Sequence, residues 1–203
     1  ISKYLYIILT GENIVMDYKL QYNSEAKNIF RENEKIYINR AQEQIEPHLH
    51  SHDFIEIAYV ARGKGIHRIG NREYEVSRGD LFIINYYVPH EFRSISDQPG
   101  LVVYNCVFLP EFLDNSLVNC NNFGEITHHF LFRSLFPEEI ENNADIRLLD
   151  RESRDIEKLY EKMYREYQIQ ANGYINILRA YLIELLVKIL RLWHNDEKKK
   201  RDH

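Results

Sequence analysis

The sequence predicts a mainly β protein that ends in an α-helical hairpin, and two patterns carry this prediction. Between residues 35 and 110, short runs of β-branched and aromatic residues alternate with turn residues about every eight to twelve positions, which is typical of a β-sandwich or barrel. From Asp150 onward, apolar residues recur at the spacing of an amphipathic helix. Asn172-Gly173 interrupts this spacing and divides the stretch into two helices.

The strands follow from side-chain alternation and from the turns between them. The predicted strands are residues 35–41, 53–62, 66–69, 72–76, 81–84, 91–94 and 101–109. Residues 35–41 alternate apolar and polar side chains, which favours an edge strand. Gly70-Asn71 joins two of the short runs and predicts a β-hairpin with a primed turn. Arg78-Gly79-Asp80 and Pro99-Gly100 mark two further turns.

The chain divides into five predicted segments. They are an N-terminal arm (1–34), a β-barrel (35–110), connecting helices and loops (111–149), a helical hairpin (150–194) and a charged linker (195–203). Gly11-Glu12 can be encoded by a purine-rich ribosome-binding sequence, and Met16 follows closely. We therefore expect residues 1–15 to be translated leader, with a genuine first strand as the alternative.

Size and charge exclude several classes of protein. The 203 residues are enough for one core with an appendage and too few for two full-sized domains. With 26 basic against 31 acidic residues the net charge is −5, so the chain lacks the basic excess of a nucleic-acid-binding domain. Cys106 and Cys120 are too few for a disulfide framework and favour a reducing cytoplasm, although one bridge between them stays open. No apolar run approaches the ~18–20 residues of a membrane span.

The second predicted helix is apolar on nearly all sides. Five of its residues repeat at four- and three-residue spacing, namely Leu178, Leu182, Leu185, Ile189 and Leu192. This spacing indicates a seam between two helices, and a helix so apolar must be covered on two sides. The barrel or the first helix supplies one cover. We expect a second copy of the chain, packed antiparallel along the seam in a homodimer, to supply the other.

Three histidines and a glutamate form the candidate metal site. His50, His52 and Glu56 share parity, so in an uninterrupted strand their side chains point to one face. His90, on a different strand, would complete a set of three nitrogens and one oxygen. Imidazole and carboxylate suit zinc, nickel, manganese or iron, so we expect one divalent transition metal here. The alternative is that the same groups line an effector site without a metal.

This spacing resembles the first motif of the cupin superfamily, with Gly63 at its end. The second cupin motif is looser, because Asn85 stands where a proline is expected and Tyr87 where a glycine is, although Gly79 and His90 fit. These departures and the helical tail make the sequence more similar to the amino-terminal domain of AraC-family transcription regulators than to the enzymatic cupins. The resemblance implies a cupin-type jelly-roll β-barrel followed by a C-terminal α-helical hairpin.

The AraC resemblance spans roughly residues 35–194 and implies the ligand-sensing and dimerisation domain of a bacterial, cytoplasmic regulator. In that family a small metabolite, often a sugar, enters the barrel, and the helical hairpin pairs two subunits. A C-terminal domain with two helix-turn-helix motifs contacts DNA. We expect that domain to be absent from this chain. The regulator would contact DNA only through such a domain. We expect neither enzymatic activity nor a membrane partner.

The candidate effector contacts are residues that could lie near the barrel mouth, namely Tyr59, Arg68, Tyr86, Tyr87 and Phe92. Their aromatic rings could stack on a sugar or another planar face, and the arginine could pair with an anionic or hydroxylated effector. The competing function is a metal-dependent cupin enzyme, an isomerase or dioxygenase. The complete ligand set favours the enzyme, whereas the loose second motif and the long helical tail favour the regulator.

Overall fold

The computed structural model describes residues 22–24, 29–46, 48–70, 72–113, 145–147 and 150–201. Its strands are β1 (Tyr22–Ser24), β2 (Ile36–Gln42), β3 (His50–His52), β4 (Ile55–Arg62), β5 (Lys64–Ile69), β6 (Arg72–Ser77), β7 (Asp80–Ile84), β8 (His90–Ser94), β9 (Val102–Phe108) and β10 (Asp145–Arg147). A short 3-10 turn at Pro110–Phe112 follows β9, and two helices follow β10: α1 (Asp150–Ile169) and α2 (Tyr174–Arg201). No helix of the described part is both long and apolar enough to span a bilayer.

The strands form two five-stranded sheets that face each other. The first sheet has the order β1-β3-β8-β5-β6 and the second has the order β10-β7-β4-β9-β2. The sheets are not closed into one continuous barrel, but the arrangement is cupin-like and is followed by the helical hairpin, so the predicted fold class is confirmed. The strand at Ile36–Gln42 lies at an edge of the second sheet, as the alternation predicted, and β5 pairs antiparallel with β6 in the predicted hairpin.

Strand β4 separates two apolar cores because its side chains alternate between its faces. Ala58 and Val60 point between the sheets, where they pack with residues such as Phe92 of the first sheet. Ile57 and Tyr59 point the other way and pack with the helices. Seven of the eight residues of β4 are buried, since the strand lies at the centre of the second sheet with apolar layers on both sides.

The helices are fixed to the back of the second sheet, the face turned away from the first sheet. The ring of Tyr160 on α1 stacks on Tyr59, with 5.6 Å between the ring centroids. Its hydroxyl donates a hydrogen bond of 2.7 Å to the carbonyl oxygen of Ile57, so a buried polar group finds a partner on the central strand. At the other end of the hairpin, the hydroxyls of Tyr167 and Tyr174 both donate to the carboxylate of Glu34.

The predicted dimer seam packs within the chain. Leu178, Leu182, Leu185 and Ile189 have no exposed surface and belong to the core that joins the helices to the second sheet, and Leu192 packs partly buried against it. The structure therefore contradicts the prediction that these residues pack antiparallel against a second copy, because their own chain already covers them. The half-exposed side of α2 carries other apolar residues, including Ile177, which is 43% exposed.

Three further differences concern the segments. The helix α2 continues to Arg201, so most of the charged stretch expected to be a linker (195–203) is helical. Strands β1 and β10 were not predicted; β1 pairs with β3 and β10 pairs with β7. The expected leader (1–15) lies outside the described residues, as do Cys120 and most of the connecting segment (111–149).

We predict that truncating a side chain of the buried seam destabilises the fold of the single chain. Leu185→Ala leaves a cavity in the helix–sheet core and should lower the free energy of unfolding by about 2–5 kcal/mol. Ile177→Ala, on the half-exposed side of the same helix, should cost less than about 1 kcal/mol. Urea unfolding followed by circular dichroism measures both. A Leu185→Ala variant of unchanged stability that no longer self-associates would restore the dimer seam.

Candidate metal centre and effector cavity

The four predicted ligands come from both sheets. His50 and His52 lie on β3 and His90 on β8, all in the first sheet, whereas Glu56 lies on β4 in the second sheet. The chain therefore leaves one sheet at Asp53 and enters the other, and the uninterrupted strand that the parity argument assumed does not exist. The side chains meet nonetheless, because strands from two facing sheets direct them into the same space.

The distances between three of these side chains, those of His50, Glu56 and His90, suit a shared metal ion, and His52 lies beside Glu56 outside that group. One nitrogen or oxygen each from His50, Glu56 and His90 lie within 4.8 Å of one another. Nε2 of His52 lies 3.1 Å from Oε2 of Glu56, and Nε2 of His90 lies 3.6 Å from the same oxygen. His50 and His90 are direct partners across β3 and β8, and their ring centroids are 4.2 Å apart.

Backbone carbonyls fix the tautomers of two of the rings. Nδ1 of His90 donates to the carbonyl oxygen of Val88 at 2.9 Å, and Nδ1 of His50 donates to that of His48 at 3.0 Å. Because a carbonyl only accepts, the proton lies on Nδ1 and the lone pair on Nε2, which is the form that binds metals.

Three ring nitrogens of the cluster lack a hydrogen-bond partner. Nδ1 and Nε2 of His52 and Nε2 of His90 are buried, and within the described residues none of them makes a hydrogen bond of acceptable geometry, despite the closeness of Glu56. Buried polar atoms are normally paired. Unpaired imidazole nitrogens beside a carboxylate therefore fit a metal ion.

The protonation states also fit a cation. Burial opposes ionisation of the Glu56 carboxyl, but the rings of His52 and His90 outweigh burial when they direct a proton at the carboxylate, and they then hold its pKa well below its usual range. Burial, reinforced by His90, lowers the pKa of His50 to about 4. At neutral pH the site therefore contains a carboxylate and a neutral imidazole, the deprotonated forms that metal binding requires.

A cavity of about 150 Å³ opens beside this cluster. An apolar cavity of about that volume holds a molecule the size of benzene, so the space accepts a small effector. Besides the four predicted ligands, its lining consists of Ile29, Tyr37, Asn39, Glu43, His48, Phe54, Phe92, Asn105 and Val107. Among these described lining residues there is no lysine or arginine. Burial, and then the charge of Glu56, raises the pKa of Glu43 to about 7.

The predicted effector contacts are dispersed. Phe92 lines the cavity, but the other four do not. Tyr59 lies under α1 on the back of the second sheet. Arg68 lies between the inward-facing His67 and Ile69 on β5, so its side chain points outward. Tyr86 and the 65% exposed Tyr87 lie in the loop before β8, and the backbone N–H of Tyr87 donates to the carbonyl oxygen of His52.

Several polar residues of the interior escaped prediction. Glu43, Asn39 and Asn105 line the cavity, and a signal existed for Asn105, which interrupts an otherwise apolar strand. His67 is completely buried and stacks on Phe92, with ring centroids 3.9 Å apart. Its Nδ1 donates to the carbonyl oxygen of Glu91 at 3.0 Å. The sequence alone did not show that His67 faces inward on β5, because this depends on the register of the hairpin.

Comparison with known proteins agrees with the AraC-family resemblance of the sequence. The family model of the AraC-like ligand binding domain matches residues 36–186. The HTH-type transcriptional activator RhaR of Escherichia coli is 41% identical over 68 residues, 34% of this chain and 23% of that protein. RhaR of Shigella flexneri gives the same values. The chain thus spans about a quarter of the length of these curated relatives.

Two solved structures share part of the fold at low similarity. A cupin 2 conserved barrel domain protein from Rhodopseudomonas palustris is 21% identical, with 40% of this chain and 57% of that chain covered and a TM-score of 0.33. A predicted oxalate decarboxylase from Thermotoga maritima is 18% identical, with 36% and 64% covered and a TM-score of 0.30.

We predict that acid destabilises the metal-free fold through its buried histidines. Burial lowers the pKa of His67 from 6.5 to about 3. Between these values the unfolded chain binds a proton that the folded chain does not. The free energy of unfolding should therefore be greatest above pH 6.5 and fall below it, with His67 contributing about 1.4 kcal/mol per pH unit.

His67→Phe should make this acid loss shallower, as measured by urea unfolding in EDTA at pH 7 and pH 5. The exposed His48 provides the control, and His48→Phe should keep the wild-type slope. An identical slope in wild type and His67→Phe would show that His67 does not carry the effect.

Proposed function

Because the chain belongs to the family of AraC-like ligand binding domains, we propose that it is the effector-sensing domain of a bacterial, cytoplasmic transcription regulator. The observation that carries the proposal is the cavity between the sheets, which adjoins the cluster of His50, His52, Glu56 and His90. The domain binds a small metabolite there and performs no reaction on it. DNA is contacted through a separate helix-turn-helix domain.

Without a bound metal, the side-chain charges of the cavity favour a neutral, hydroxylated effector such as a sugar. Its described lining contains two carboxyl groups, Glu43 and Glu56, and no cationic side chain. An anionic effector would meet repulsion without a compensating charge, whereas hydroxyls find acceptors and donors on these carboxyls and on two asparagines. Phe92 and Phe54 offer apolar ring surface to the carbon face of such a ligand.

We propose that His50, His52, Glu56 and His90 hold one divalent transition metal, with zinc, nickel, manganese or iron as candidates. Three nitrogens and one carboxylate oxygen suit all of these ions. When bound, the metal would supply a Lewis-acidic centre that attracts a hydroxyl oxygen of the effector. The protein's share is to bury the ligands and to exclude bulk water.

The same ligand set keeps one competing function open, a metal-dependent isomerase or dioxygenase. The observation in its favour is the unpaired Nε2 of His52 and of His90 beside Glu56, an arrangement that could serve catalysis as well as binding. Turnover of a candidate sugar or phenolic compound by the metal-loaded protein, followed by mass spectrometry, would decide for the enzyme. Binding without chemical change supports the sensor.

We also propose a homodimer, formed by the half-exposed side of α2 rather than by the buried seam. Ile177, 43% exposed, lies on that side one turn before the partly buried Tyr181. A two-fold contact there would place the C-terminal ends of two α2 helices in one assembly, as a regulator with paired DNA-binding domains requires.

The metal prediction uses thermal unfolding with and without added Zn²⁺. A ligand at about a hundred times its dissociation constant stabilises the folded state by about 2.7 kcal/mol, so the wild type should gain stability of this order. His90→Ala should abolish the gain, and His48→Ala, which alters the cavity wall outside the ligand set, should keep it. Equal gains in both variants would place the metal elsewhere.

The effector prediction compares neutral monosaccharides with the aldonic acids derived from them, by isothermal titration of the metal-free protein. Neutral members should bind and the acids should bind at least tenfold more weakly, because the metal-free cavity has no cationic side chain among its described lining residues to pair with a carboxylate. Stronger binding of the acids would contradict the charge argument.

The dimer prediction is tested by sedimentation. Ile177→Asp places a charge on the proposed contact and should shift the protein to monomers without loss of its fold, since the side chain is half exposed in the single chain. A variant that remains dimeric would place the contact on another surface.

A further inference from the structure

An asparagine in the most apolar strand of the second sheet has no role in the proposals above. Strand β9 reads Val-Val-Tyr-Asn-Cys-Val-Phe over Val102–Phe108 and lies between β4 and β2. Asn105 places a side-chain amide in this strand, where it is half-buried and faces the cavity. A polar amide in such a strand costs free energy unless its hydrogen bonds are satisfied. Its partners therefore indicate why it is there.

The neighbours of Asn105 determine how its amide is oriented. With the nitrogen toward Glu56, Asn105 donates to Oε1 of Glu56 at 3.2 Å and to the carbonyl oxygen of Tyr104 at 3.2 Å. Its own oxygen then lies 3.1 Å from Oδ1 of Asn39, its direct partner on β2. The Asn39 amide must therefore turn as well, so that its nitrogen becomes the donor. The opposite orientation would set the amide oxygen against the carboxylate, where both groups are acceptors.

The two oxygens of Glu56 consequently have different surroundings. Oε1 is held by the amide of Asn105. Oε2 faces Nε2 of His52 at 3.1 Å and Nε2 of His90 at 3.6 Å. One oxygen is therefore bound to the protein scaffold, and the other is presented to the cluster of imidazoles.

We propose that Asn105 is a positioning residue that fixes Glu56 as a metal ligand through one oxygen only. This inference rests on the proposed metal site. A carboxylate that binds through both oxygens occupies two coordination positions. Holding Oε1 away leaves a position to an oxygen of the effector, so the asparagine couples metal binding to effector binding. Hydrogen-bonded partners of this kind commonly alter metal affinity 10–100-fold when they are removed.

The test measures the affinity of the whole chain for Co²⁺, by competition with a chromogenic chelator, and the visible absorption spectrum of the bound ion. Asn105→Leu keeps much of the volume but removes the donor, and should weaken Co²⁺ binding 10–100-fold and change the spectrum. Asn105→Ala serves where the leucine variant does not fold. Cys106→Ala is the matched control, because it alters the same strand on the face toward the helices, and should leave affinity and spectrum unchanged.

Glu56→Ala separates the two levels of the proposal. If wild type binds Co²⁺ and Glu56→Ala does not, the metal site stands. Asn105 variants with wild-type affinity and spectrum would then overturn the positioning role alone. If Glu56→Ala binds as tightly as wild type, or wild type does not bind, the metal site falls and the inference falls with it. A spectrum altered equally by Cys106→Ala would show that Asn105 acts only through general packing.

Discussion

The burial of one carboxylate between two apolar sheets is the constraint on which the rest of this structure depends. Only 6% of Glu56 is exposed, and a buried charge is costly unless it is compensated. Within the chain the amide of Asn105 supplies part of that compensation, and Nε2 of His52 and of His90 lie close without making a hydrogen bond. A metal ion would supply it more fully, which explains why several otherwise unexplained polar residues face one point.

Strand β4 connects this centre to the helices. Glu56 points into the space between the sheets. On the opposite side of the strand, the carbonyl oxygen of the neighbouring Ile57 accepts a hydrogen bond from the hydroxyl of Tyr160. The segment before β2 makes a second connection, because Ile29 lines the cavity and Glu34 binds the hydroxyls of Tyr167 and Tyr174. Occupancy of the cavity can change the helices only if the effector binds one arrangement of these contacts better than another.

The sequence was sufficient for the fold class and for most of the elements, because alternation, turn residues and helical spacing are local signals. The structure places His50, Glu56 and His90 close together and His52 beside Glu56, although the assumed single strand was wrong, and their role as metal ligands stays a prediction. Positions that depend on which layer covers a face were not predictable. Tyr59 packs under a helix, and Leu185 packs within its own chain. For Leu185 the helical spacing was read correctly and the packing partner was not, whereas Tyr59 was assigned to the effector site because of its aromatic ring.

The central claim is that the cluster between the sheets binds one metal ion beside the effector cavity. Anomalous diffraction from crystals of the protein grown with Co²⁺, recorded at the cobalt absorption edge, tests it most directly. The account predicts one strong peak enclosed by the side chains of His50, His52, Glu56 and His90. A map without a peak there, or with its principal peak on the protein surface, would contradict it.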